Sequence, residues 1–66
     1  MKKIKFHLAK IRVQNGLSTR KLAESSNVGL RVIERIQAGT VNPRLETMCK
    51  LADALDVTVC DLFTYE

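Results

Sequence analysis

The chain has 66 residues, of which 45% are hydrophobic, and a formal net charge of +4. That length predicts a single domain over residues 1–66 with no room for an enclosed substrate cavity, and the apolar share excludes a disordered tail. No apolar run approaches the roughly 20 residues of a membrane span, and no apolar signal core follows the basic start Met1–Lys5, so a cytoplasmic protein without a membrane partner is expected.

Ile4, Leu8 and Ile11 fall at spacings of four and three, which predicts a first helix. Asn15-Gly16 ends it, with glycine free to adopt the left-handed conformation. Ser18 is the expected N-cap of a second helix through about Ser26, with Leu22 and Ala23 buried. In the short turn that follows, Asn27 is the expected left-handed residue and Gly29 a weaker N-cap. A third helix then runs from Leu30 to Ala38, with Ile33 and Ile36 inward and Gly39 closing it.

Asn42-Pro43 marks a boundary, with Pro43 expected in the first turn of a fourth helix and Asn42 as its cap. Leu45, Met48, Leu51, Ala52 and Leu55 define the apolar face of that helix, and Asp56 is its polar stop. Thr58-Val59-Cys60-Asp61 has the spacing of a capping box, so a short fifth helix is expected over Val59 to Phe63. Strand alternation appears nowhere over a useful length. The expectation is therefore an all-α fold of five helices, with a mainly aliphatic core because Phe6, Phe63 and Tyr65 are the only aromatic residues.

Charge divides the chain. Residues 1–44 hold ten Lys and Arg against Glu24 and Glu34, a net +8, whereas residues 45–66 hold Lys50 against five acidic residues, a net −4. A polyanion would be drawn to the first part and repelled by the second; the alternative is that these charges simply solvate a surface. Within the basic part, two short helices meet at a tight turn between Leu17 and Gly39. The second of them, held by Ile33 and Ile36, leaves its other face free, which is how a helix-turn-helix presents a recognition helix to the major groove.

These residues carry a resemblance. Gly16-Leu17-Ser18, Leu22-Ala23-Glu24, Val28, Ile33, Gly39, Asn42-Pro43, Leu45-Glu46-Thr47-Met48 and Lys50-Leu51-Ala52-Asp53-Ala54-Leu55 resemble the Cro/C1-type (XRE-like) helix-turn-helix family, in register from about Leu8 to Leu62. The resemblance implies a compact five-helix, lambda-repressor-like domain that binds double-stranded DNA as a homodimer and regulates transcription. By position it implies base-reading or groove-facing roles for Leu30, Arg31, Val32 and Arg35. Arg31 and Arg35 lie one helical turn apart and suit guanine, while Leu30 and Val32 suit thymine methyl groups. Ser18, Thr19, Arg20, Asn42 and Arg44 are the expected phosphate contacts, with Lys21 adding charge. The family often pairs an Arg at position 12 with a Glu at position 37. Here Arg12 faces a neutral Gln37, which leaves open whether the two interact or Arg12 meets phosphate.

Cys49 and Cys60 are expected as reduced thiols packed like small hydrophobes. With His7 they match no zinc spacing, so no metal is expected, and the sequence offers no cofactor motif, small-molecule substrate or catalytic constellation. Two copies are expected because one short helix reads only a few base pairs. The C-terminal apolar residues, Val59, Phe63 and Tyr65 with Val57 and Leu62, form the expected dimer interface. An alternative keeps the fold but uses the outer face of the third helix, with Leu30 and Val32, to dock a toxin, repressor or phage factor.

Overall fold

A computed structural model describes residues 3–66; Met1 and Lys2, part of the basic start, lie outside the described residues. Four α-helices, α1 (Leu8–Gln14), α2 (Thr19–Ser26), α3 (Leu30–Ala38) and α4 (Leu45–Leu55), are followed by a 3-10 turn over Val59–Leu62. Two short strands, β1 (Ile4–Phe6) and β2 (Phe63–Tyr65), bracket the helices and pair antiparallel, with Ile4 opposite Tyr65, Lys5 opposite Thr64 and Phe6 opposite Phe63.

The strands correct the all-α expectation. Ile4 belongs to β1, so the first helix begins only at Leu8, and Phe63 leaves the expected fifth helix for β2. The pairing is non-local. Lys3 and Glu66 exchange backbone hydrogen bonds, and His7 N–H donates to Leu62 O at 2.7 Å. Three-residue segments separated by the whole domain show no alternation that a local reading can detect.

The core is aliphatic. Leu8, Leu22, Ile33, Ile36, Leu51, Leu55 and Leu62 are each at most 2% exposed, and Val28, Met48 and Ala52 complete the buried set. Leu45 was expected on this face but is 70% exposed. It is the first residue of α4, and a helical side chain leans back towards the N-terminus, where no preceding turn extends the core. Ala23 is half-buried, and Ser26 is buried instead. Both cysteines are free and exposed, contrary to the expected packing as small hydrophobes.

Most of the helix ends follow from local chemistry. Ser18 Oγ accepts from Lys21 N–H at 3.1 Å, Asn27 and Asp56 take left-handed conformations, and Gly39 closes α3 with φ +76°. Asp61 receives both the Thr58 N–H and hydroxyl at 3.0 Å, the acidic half of the expected capping box. The start of α4 differs from the expectation. Arg44, not Asn42, occupies its N-cap in an extended conformation without a side-chain cap, and Pro43 precedes the helix. Because Pro43 itself stays outside the helix, Asn42 lies two residues short of the cap position and does not cap the first N–H groups of α4.

Candidate nucleic-acid interface

The α2–α3 corner is fastened from inside. Asn27, at φ 59° and ψ 31°, reverses the chain, and Gly29 then starts α3. Beneath the turn, the Ser26 hydroxyl donates to Leu22 O at 2.7 Å and accepts from Val28 N–H at 3.3 Å. This buried serine ties the end of α2 to Val28, two residues before α3. The sequence reading missed it, and the signal was a hydroxyl placed one residue before the left-handed Asn27.

Ile33 and Ile36 anchor α3 and thereby orient its remaining side chains. At 3.6 residues per turn, Arg31 and Arg35 point away from these two anchors, with Leu30 and Val32 on opposite shoulders. Leu30 is 36% exposed and Val32 38%, so neither is absorbed into the core. Glu34 also stands exposed on this face, between Leu30 and Arg31 around the helix, and was not among the expected site residues. Its position three residues after Arg31 was the available signal.

The expected phosphate-contacting residues lie at two helix starts. Thr19 opens α2 behind the Ser18 cap, and Arg20 and Lys21 are exposed in its first turn. Neither α2 nor α3 carries an acidic residue in its first turn, so the positive end of each helix dipole is left uncompensated. Asn42 and Arg44 are exposed in the connection from α3 to α4, where Thr40 closes α3 by donating through its N–H and hydroxyl to Arg35 O. A surface cleft of about 360 Å³ unites Val32 and Arg35 with Val41, Asn42, Arg44 and Thr47. It thus joins two expected base-reading residues to two expected phosphate contacts.

The cations of this surface stand without carboxylate partners among the described residues, as do Lys3 and Lys10 elsewhere. Among the described residues, Arg20, Lys21, Arg31, Arg35 and Arg44 engage no carboxylate. At the strands, by contrast, Lys5 Nζ lies 2.8 Å from Glu66 Oε1. That hydrogen-bonded ion pair raises the Lys5 pKa and lowers that of Glu66. The strand pairing therefore joins part of the basic segment to the acidic one, and the cationic surface is smaller than residues 1–44 as a whole.

Arg12 is not free to meet phosphate through all its donors. Its Nε donates to Gln37 Oε1 at 2.9 Å and its Nη1 to Leu17 O at 2.8 Å, bracing α1 against α3. Of the expected dimer residues, Val59 and Phe63 are half-buried and Tyr65 is 63% exposed, whereas Leu62 is 2% exposed and belongs to the core. No cluster of His, Cys, Asp or Glu among the described residues is arranged to hold a metal ion, and none of the described helices is long and apolar enough to cross a membrane.

A model of the helix-turn-helix family matches residues 8–62, from the first residue of α1 to the last of the 3-10 turn. No match was found among curated proteins. The matched stretch covers most of the chain and contains both helices of the corner, their turn and every side chain of the cationic surface. The chain belongs to the Cro/C1-type (XRE) helix-turn-helix family of DNA-binding transcription regulators.

Proposed function

We propose that the protein is a sequence-specific repressor that inserts α3 into the major groove of double-stranded DNA as a homodimer. The observation that carries this reading is the outward pair Arg31 and Arg35, which engage no carboxylate among the described residues, on a helix anchored by Ile33 and Ile36. Each guanidinium suits the O6 and N7 acceptors of guanine, and Leu30 and Val32 on the shoulders suit thymine methyl groups. Glu34 adds an acceptor suited to the amino group of cytosine. Ser18, Thr19, Arg20, Asn42 and Arg44 fix the register on the phosphates without reading bases.

In the dimer, two α3 helices would lie in successive major grooves about 34 Å apart. Its interface combines Val59, Phe63 and Tyr65 with Ile4, which the strand register sets opposite Tyr65. Occupancy of two successive grooves excludes other proteins from that stretch, and this is the proposed mode of repression. Selection of bound duplexes from a random pool tests the reading. The expected result is a two-fold symmetric site with guanine opposite Arg31; an unenriched pool would overturn sequence-specific reading.

The exposed Leu30 and Val32 also favour a second reading, in which the outer face of α3 docks a protein. A gel shift on random-sequence duplex separates the two, because a protein-docking surface gives no shift at low salt.

A further inference from the structure

Arg12 is a cation held by neutral oxygens. Its two hydrogen bonds run to the Gln37 amide and the Leu17 carbonyl, and no carboxylate pairs with it among the described residues. The side chain is half-buried, so the absence of a counter-charge needs a physical reason. Two helix ends supply it. Arg12 lies in the last turn of α1, and Gln37 in the last turn of α3, where the C-terminal end of each helix dipole gives partial negative charge.

The brace does two separable things. It fixes α3 against α1, and it leaves a full positive charge in place. That charge lies beside the cationic surface, because the Leu17 carbonyl belongs to the same peptide unit as the N–H of Ser18, the cap of α2. A carboxylate at position 37 would hold the guanidinium equally well while cancelling its charge.

We propose that Gln37 is a positioning residue that fixes Arg12 without neutralising it, so that the Arg12 charge adds to the attraction for the DNA backbone. This rests on the DNA-binding reading above. Fixed charge within about a Debye length, roughly 10 Å at 0.1 M salt, is felt by a bound phosphate.

The test is the affinity for a labelled random-sequence duplex across a salt series, with thermal melts of each variant. Gln37→Glu should melt at or above the temperature of the parent. It should bind about three- to tenfold more weakly at low salt, and its log–log salt slope should be shallower by about one. Gln37→Ala, which breaks the brace but keeps the charge, should melt lower and bind more weakly with the slope of the parent. Arg12→Gln, which removes the charge directly, should also lose about one unit of slope.

Equal slopes for the parent and Gln37→Glu would overturn the inference, as would an equal loss of slope in Gln37→Ala. Should Gln37→Glu not fold, an unchanged slope in Arg12→Gln overturns it alone. A parent protein that ignores duplex DNA at low salt overturns the underlying DNA-binding reading instead.

Discussion

The α2–α3 corner and the paired strands treat charge in opposite ways. At the strands, Lys5 is spent on Glu66, and His7 Nε2 lies 3.1 Å from Thr64 Oγ1, so the polar groups close on one another. At the corner the polar groups inside the turn are satisfied by Ser26, while the cations outside it have no carboxylate partner among the described residues. The family match follows the same division. It includes the corner and stops short of both strands. Charge is paired between Lys5 and Glu66 at the strands and left without carboxylate partners at the corner.

Removing the anchor under the corner should have the largest effect. Ile33→Ala empties a fully buried position and should destabilise the domain by about 2–5 kcal/mol, read by denaturant titration. A stability near the low end expected for 66 residues would leave such a variant largely unfolded. Arg31→Ala comes next. It should keep the fold and lose about 1–3 kcal/mol of discrimination between the selected site and a site with that guanine replaced. Arg44→Ala should instead weaken all sequences alike and make the salt slope shallower by about one.

Much of the corner was legible because its signals are local. Ser18 before a helix, Asn27 in a tight turn and Gly39 after the last apolar residue each act within a few residues of themselves, and each is where it was expected. The errors lie where tertiary contact decides. Ile4 has helical spacing to Leu8, yet its partner is Tyr65, at the other end of the chain. Leu45 has the spacing of a core residue but no helical turn before it. Asn42 is a good cap by type, but the chain does not become helical until after Arg44. The Arg12–Gln37 contact was open in the sequence because an amide can accept the bond without attracting the charge.

Smaller effects sharpen the same contrast. Ser18→Ala should cost about 1 kcal/mol by removing the cap that accepts from Lys21 N–H. Glu66→Gln should cost less still, since its partner is exposed, and should leave DNA affinity little changed. Its pH signature is specific. Glu66 is lowered by Lys5, so its contribution is present above the ordinary carboxylate range and fades as acid protonates it. Lys5 is raised by Glu66, so its contribution is complete below the ordinary lysine range and is lost as alkali deprotonates it. Between these limits the parent should exceed Glu66→Gln slightly in melting temperature, and the difference should close towards acid.

The most direct test of the unpaired cationic surface is equilibrium binding of the parent protein to a labelled random-sequence duplex as salt is raised. Each neutralised phosphate contributes about −0.9 to the log–log slope, so Arg20 and Arg44 alone predict a slope of about −2 or steeper. Tight binding at low salt that falls with such a slope is the expected result. No binding at low salt, or binding indifferent to salt, would contradict the reading of this surface as a DNA interface.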